Sequence, residues 1–276
     1  MAKNYKYSYK LKPRGTSLSV CNVGLQRCEP GYRWGPGVRD HFLIHHVVAG
    51  KGRFMADGQS WPVTAGETFL VTPETMVSYQ ADQQQPWEYL WVGFRGNDAR
   101  MLLAQTDFSP DRPVISAGSS DELKRMLLRI YERRGNRPQE AAAMTGYLYV
   151  FLSRLMELSR SRSTDEPGLE LVRRATTFVQ ENYSHPITVE DVARFAGVSR
   201  SWLYRSFQQC LSVSPTRFLS ECRMDHAAQL LQSSQLNVSE VACSVGYDDP
   251  YYFSRVFRQR FRCSPRDYLQ KMREPS

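Results

Sequence analysis

No stretch of the 276 residues approaches the ~20 consecutive apolar residues that a bilayer-crossing helix requires, and the first residues lack a signal-peptide apolar core. The six cysteines (Cys21, Cys28, Cys210, Cys222, Cys243, Cys263) form no C-x-x-C pair. Most fall on apolar helix faces, which favours reduced, buried thiols in a cytoplasmic protein with no membrane contact. Histidine is scarce, five residues in all, and His185 and His226 have no convincing partners. No P-loop, dinucleotide fingerprint, Ser/His/Asp or Cys/His arrangement is present. Neither a catalytic residue nor a cofactor is expected.

What the chain does have is positive charge and a repeat. Its formal charge is +8, which favours a polyanionic partner. The excess is local. Lys3, Lys6, Lys10, Lys12 and Arg14 open the chain without an acid, and Arg255, Arg258, Arg260, Arg262, Arg266, Lys271 and Arg273 crowd its end. Val189, Val192, Ala193 and Gly197 recur as Val238, Val241, Ala242 and Gly246. Arg205, Phe207, Ser214, Pro215, Phe218 and Leu219 recur, about fifty positions on, as Arg255, Phe257, Ser264, Pro265, Tyr268 and Leu269. Each copy reads as a short apolar helix, a glycine turn and a second helix with a basic outer face. That is the form of a helix-turn-helix DNA reader. Asp249-Pro250 starts the last such helix, with proline in the first turn where its missing N–H costs nothing.

Taken in order, residues 1–37 are polar, basic and broken by Gly and Pro. They read as an N-terminal arm with one strand, Leu18–Gly24. From 38 to 160 a first domain is expected. It opens with short strands at His41–Val48, Arg53–Ala56, Trp61–Val63, Thr68–Thr72, Met76–Gln80 and Trp87–Phe94, separated by turns such as Asp57-Gly58, which together imply a small barrel or sandwich. Helical spacing follows over Asp121–Arg134 and from Pro138 to about Ser159. The second helix has a wide stripe (Met144, Tyr147, Leu148, Phe151, Leu152, Leu155, Met156) suited to intradomain packing or to a homodimer face. Residues 161–168 read as a linker. Residues 169–276 form the helical domain, in which Thr188 and Asp191 make a capping box and a helix from Thr216 to about Gln232 joins the two repeats.

The run Ala242-x-x-Val245-Gly246-Tyr247-x-x-x-Tyr251-Tyr252-Phe253-Ser254-Arg255-x-Phe257-x-x-x-Phe261-x-x-Ser264-Pro265-x-x-Tyr268 resembles the DNA-binding domain of AraC/XylS transcription regulators. Ala49–Gly52, Ala65–Glu67, Pro73 before Ser78-Tyr79, and Pro86–Phe94 resemble the sensor domain of the same family. Arg262 stands where the family usually has a small or Gly-containing turn. The resemblance implies a two-domain α+β protein. Its N-terminal part would be a double-stranded β-helix barrel, a cupin-like jelly roll with flanking helices. Its C-terminal part would be an all-α domain with two helix-turn-helix motifs. The implied function is a promoter-binding regulator, with activation as the expected output, that answers a small effector, often a sugar. Its partners would be double-stranded promoter DNA, a second copy of the chain and, for an activator, RNA polymerase.

The second helix of each repeat should enter a major groove with its N-terminal half towards base edges. That exposes Arg200, Ser201, Tyr204 and Arg205 in the first copy, and Tyr251, Ser254, Arg255 and Arg258, with Asp249, in the second. A sugar site calls for an aromatic platform and a few aimed hydrogen bonds. His45, Tyr79, Tyr89 and Trp91 fall on alternating strand positions that can share one interior, and Trp34 and Arg39 are placed to close its mouth. A metal-dependent cupin enzyme shares the barrel, but His45 and His46 are adjacent and face opposite sides of a strand. The later strand, Met76–Tyr79, has no histidine, so no metal site is expected. A barrel that only dimerises is the remaining alternative.

Overall fold

The computed structural model describes residues 4–10, 17–116, 120–159 and 167–273, which fall into two compact units, Met1–Ser163 and Thr164–Ser276. The division lies within 161–168, read above as a linker, of which 161–166 are outside the described residues.

The first unit begins with β1 (Tyr5–Lys10), β2 (Ser19–Arg27), β3 (Arg33–Gly37), β4 (Phe42–Ala49) and β5 (Lys51–Ala56). It continues through β6 (Gln59–Thr64), β7 (Glu67–Val71), β8 (Val77–Ala81), β9 (Glu88–Arg95), α1 (Asn97–Ala104), β10 (Val114–Ser116), α2 (Ser120–Glu132) and α3 (Pro138–Leu158). Two antiparallel sheets result. One has the order β1-β2-β9-β4-β7-β10 and the other β3-β8-β5-β6. The described part of the expected arm, residues 4–10 and 17–37, therefore supplies strands of the two sheets, and the boundary expected at residue 38 is corrected. β2 is an interior strand bonded to β1 on one side and to β9 on the other. The glycines and prolines that suggested irregular chain lie largely in and around β3 and its approach, Pro30-Gly31. Residues 1–3 and 11–16 of that stretch lie outside the described residues.

The larger sheet is covered on both faces, and the two-residue period of a strand sorts its side chains. Phe42, Ile44, Leu90, Val92 and Phe94 join the core shared with α1, α2 and α3. Leu43, Val47, Tyr89 and Trp91 face the barrel interior with Phe54, Phe69, Val77, Tyr79 and Trp87. Within β5 the packing is tight at Gly52, where a Cβ would stand 2.4 Å from the Trp87 ring and 2.5 Å from the Gln80 carbonyl. On α3 the stripe Met144, Leu148, Phe151, Leu152 and Leu155 is fully buried within the unit, with Tyr147 and Met156 packed beside it. That stripe serves packing inside the unit and is not an open homodimer face.

The second unit comprises α4 (Pro167–Asn182), α5 (Val189–Ala196), α6 (Arg200–Leu211), α7 (Pro215–Ser233), α8 (Val238–Ser244), α9 (Pro250–Phe261) and α10 (Pro265–Arg273). Side-chain caps set the starts of the repeat helices. Thr188 and Asp191 form the capping box of α5, Ser199 caps α6, Asn237 and Glu240 box α8, and Asp249 caps α9. Ser212 and Arg262 end α6 and α9 in the left-handed region, at φ 57° and 60°. Arg262 thus occupies a C-cap that its counterpart Ser212 also occupies without glycine, and the departure from the family's usual turn is absorbed there. α7 packs against elements of both repeats. Its Arg223, 9% exposed, donates to the carbonyls of Tyr183 at 2.9 Å and His185 at 2.7 Å. It thereby satisfies acceptors just past the end of α4.

The cysteines divide differently from the expectation. Cys21 and Cys28 are buried in the barrel unit and Cys222 on α7, whereas Cys243 is exposed. The two turn glycines also differ. Gly197 (φ +73°) has open space around its Cβ position, but a Cβ at Gly246 (φ +81°) would stand 2.6 Å from the Tyr183 carbonyl oxygen. Gly197→Ala should therefore cost about 1–2 kcal/mol, the left-handed penalty alone. Gly246→Ala should cost at least ~1 kcal/mol more, because a packed backbone must also move. Urea unfolding of the two variants checks this, and equal losses would contradict it.

Candidate effector cavity and nucleic-acid interface

In the first unit, β3, β4, β8, β9 and the loop between β3 and β4 bring the predicted residues to one place. Trp34, Arg39, His45, Tyr79, Tyr89 and Trp91 all line a single cavity of ≈ 250 Å³. The register explains it, since His45 lies opposite Trp91 on one side and Phe69 on the other, and Trp34 lies opposite Tyr79. The rings form a continuous wall. Trp34 stacks on Tyr79 with centroids 5.2 Å apart. His45 meets Tyr79 at 5.0 Å and Tyr89 edge-on at 4.9 Å, and Tyr89 meets Trp91 at 5.9 Å. The Arg39 guanidinium lies 4.0 Å over Trp34 at the edge of this wall.

Lys6, Asn22, Gln26 and Leu43 also line the cavity, and sequence reasoning missed them. Three of the four come from β1 and β2, within the stretch read as an arm. The signal was there in the alternation of Asn22, Gly24 and Gln26 along β2, which places them on one face. Trp91 Nε1–H donates to Asn22 Oδ1 at 3.0 Å and the Tyr89 hydroxyl donates to Gln26 Oε1 at 3.3 Å. These bonds orient the rings. Among the described residues four buried side-chain polar atoms have no hydrogen-bond partner, and two of them, Arg39 Nε and His45 Nδ1, belong to side chains that line this cavity. Leaving such a group unpaired costs about 1–3 kcal/mol.

Burial, reinforced by the charges of Arg39 and Lys6, holds the His45 imidazole neutral well below its ordinary value of 6.5. Burial likewise pushes the Tyr79 and Tyr89 hydroxyls up, so both stay protonated and can donate. The lining has two cations and no acid. His46 points to the opposite face, where it bonds Thr68 Oγ1 at 2.9 Å. Among the described residues no group of three or more His, Cys, Asp or Glu could hold a metal ion, and no helix is long and apolar enough to cross a membrane.

In the second unit, Leu203, Phe207, Phe253 and Phe257 are fully buried. The opposite faces of α6 and α9 expose Arg200, Ser201, Arg205, Tyr251, Arg255 and Arg258. The candidates divide by what already engages them. Arg200 pairs with Glu190 of α5 at 2.5 Å, Tyr204 shares a hydrogen bond with Thr216 at 2.6 Å, and the Ser254 hydroxyl donates to the Pro250 carbonyl at 2.8 Å. Arg205 and Arg255 have no acidic partner among the described residues. Their guanidinium groups lie 5.2 Å over Trp202 and 5.0 Å over Tyr252. Tyr251 is 89% exposed.

A jelly-roll unit enclosing a ring-walled cavity, joined to a helical unit with two capped helix-turn-helix motifs, defines a DNA-binding transcription regulator. Residues 22–152 match the AraC-like ligand binding domain and residues 192–271 match a helix-turn-helix domain. The chain is 30% identical to the Msm operon regulatory protein of Streptococcus mutans, over 92% of this chain and 93% of that protein. It is 28% identical to the lactose operon transcription activator of Staphylococcus xylosus, over 91% of each. It is 29% identical to the raffinose operon transcriptional regulatory protein of Pediococcus pentosaceus, over 92% of this chain and 94% of that one. Among solved structures, the C-terminal domain of AraT, a response regulator from Geobacillus stearothermophilus, is 39% identical, with 38% of this chain and 88% of that chain covered at a TM-score of 0.37. ToxT of Vibrio cholerae is 12% identical, with 94% of this chain and 100% of that chain covered at a TM-score of 0.45. The chain belongs to the AraC family of transcription regulators. The Streptococcus, Staphylococcus and Pediococcus relatives are named as operon regulators.

The state of His45 can be tested directly. Below pH 6.5 the unfolded imidazole takes up a proton that the folded one refuses, so stability present above that pH is lost as pH falls, by about 1.4 kcal/mol per unit. Thermal unfolding between pH 7.5 and 5.5 should show this acid loss in the wild type and a flatter profile in His45→Gln. Parallel profiles would show that His45 is already charged in the fold.

Proposed function

We propose that the chain regulates a carbohydrate-utilisation operon as an activator, and that the barrel cavity binds the sugar that signals it. The carrying observation is the cavity itself. It has an aromatic wall for the C–H faces of a sugar ring, with oriented amides at Asn22 and Gln26 and unpartnered polar atoms at Arg39 and His45. Its ≈ 250 Å³ lies just under the ~300 Å³ lower end of pockets for drug-sized ligands, which suits a small saccharide. Relatives named for the lactose and raffinose operons support the same class. Trp91, Tyr89 and Tyr79 would supply the platform, with Trp34 and Arg39 at its edge. Lys6 reaches the cavity from β1, so the effector would touch the N-terminal strand and could shift its pairing. A ligand biases such an equilibrium only by preferring one state.

On the DNA side, Arg205 and Arg255 are proposed to read base edges, with Ser201, Tyr251, Ser254 and Arg258 beside them. Arg200 and Tyr204, already held by Glu190 and Thr216, would position the first helix or meet phosphate. The partners would be promoter DNA, RNA polymerase and a second copy of the chain, joined through a surface other than the buried α3 stripe. A promoter-binding role calls for a cytoplasmic address.

Two measurements check the proposal. Across a panel of lactose, raffinose, melibiose and their monosaccharides, one sugar should raise the unfolding free energy by about 2.7 kcal/mol at 100 times its Kd and change tryptophan fluorescence. Trp91→Ala should remove both effects, and a flat panel would turn the effector away from sugars. Arg255→Ala should weaken binding to the cognate promoter by about 1–3 kcal/mol and relax sequence preference. An equal loss on every duplex would assign that side chain to phosphate.

A further inference from the structure

We infer that Trp202 with Arg205 on α6 and Tyr252 with Arg255 on α9 form the same two-part base reader used twice, in which the guanidinium takes a guanine edge and the ring covers the C5 methyl of a neighbouring thymine. The inference rests on the proposed groove-reading role of these helices and specifies the sequence they recognise.

The first observation is coincidence of position. The ring and the arginine recur at matching places in the two repeats, three residues apart in each, so they share a helix face. The ring itself changes from Trp to Tyr, so the place is kept for an aromatic surface rather than for one side chain. The second observation is exposure. Trp202 is 39% and Tyr252 48% exposed, while the adjacent Leu203 and Phe253 are fully buried. The helices fill their cores without these rings, which are left on the cationic face. The third is electrostatic. Other arginines of this unit find carboxylates, as Arg200 does with Glu190, Arg217 with Glu221 and Arg260 with Asp225. Arg205 and Arg255 instead lie over the rings, at 5.2 and 5.0 Å. A ring engages the face of a guanidinium and leaves its charge uncancelled and its in-plane N–H donors free.

That geometry matches a specific pair of base-edge features. An in-plane fork fits guanine O6 and N7, and an apolar surface fits the thymine methyl, both in the major groove. Side chains three apart on a helix start ~5–6 Å from each other, against a ~3.4 Å rise between bases, so ring and fork meet neighbouring base pairs. Each half-site should therefore hold a guanine beside a thymine, with the two elements about one helical turn apart on one face of the duplex.

The test uses the full-length protein. Duplexes selected from a random pool are resynthesised with deoxyuridine at single thymines, which removes the methyl and nothing else, and binding is read by fluorescence anisotropy. Wild type should lose about fourfold in affinity at one thymine of each element, the value of one buried methyl. Trp202→Ala should erase the difference at the first element only, and Tyr252→Ala at the second only. Both rings are exposed and should be dispensable for folding, which circular dichroism melts verify. Equal binding of thymine and deoxyuridine duplexes, with guanine preference still lost in Arg205→Ala, would overturn the ring's part while leaving groove reading intact. A selection without enrichment, or variants that weaken all duplexes alike, would overturn the groove-reading role as well.

Discussion

A sheet buried on both faces fixes which face each side chain takes along β4 and β9, and this constraint organises the N-terminal unit. Along β9, Leu90, Val92 and Phe94 must go to the helices and Tyr89 and Trp91 to the barrel. Along β4, Ile44 goes one way and His45 the other. A one-residue slip would exchange the two sets and put polar groups into the helix-packed core. Behind the cavity wall, Phe54, Phe69 and Trp87 fill the rest of the barrel interior, with Phe69 stacked on His45 at 4.4 Å. The same constraint isolates His45. Enclosed by rings and two cations, it stays neutral, with a lone ring nitrogen unpartnered in the cavity.

The C-terminal unit depends on a different contact. Two helix-turn-helix motifs can share one helix only if their frames are held in register, and Arg223 of α7 does this. Its guanidinium bonds carbonyls at Tyr183 and His185, beyond the end of α4, while lying 5.4 Å from the Tyr247 ring that follows the second motif's turn. The Tyr183 carbonyl is also what a Cβ on Gly246 would strike. One buried cation thus ties the helix before the first motif to the turn of the second. Burial lowers its pKa only from an ordinary value of 12.5, and it keeps its charge, so the tie holds across ordinary pH.

Much of this was legible in the chain. The repeat, its caps and the Asp249-Pro250 start are local signals, and local signals survive folding. His45, Tyr79, Tyr89 and Trp91 were legible as neighbours for the same reason, because strand alternation is a short-range rule and β4, β8 and β9 obey it. Two features were not. β1 and β2 read as an arm because polar residues and Lys6 suit solvent as well as a cavity, and nothing local says that a strand will be inserted beside β9. The α3 stripe looked too wide for one partner, yet the sheet and α2 together take all of it. Width of an apolar face reports how much surface is buried, not whose.

What engages each candidate reader residue lay beyond sequence, because it depends on what each polar group meets in three dimensions. Arg200 and Arg205 both lie exposed on α6, and Glu190 takes the first. The consequence is an asymmetry between two motifs of one plan. α6 has its first turn pinned by Glu190 and its middle by Thr216, so less of it is free to meet a groove. α9 presents Tyr251 almost wholly exposed, with Arg255 and Arg258 on open faces. On the proposed groove-reading role, two readers of unequal reach on one chain would not favour both orientations of a site equally, so polarity on DNA would already be built into a single copy of the protein.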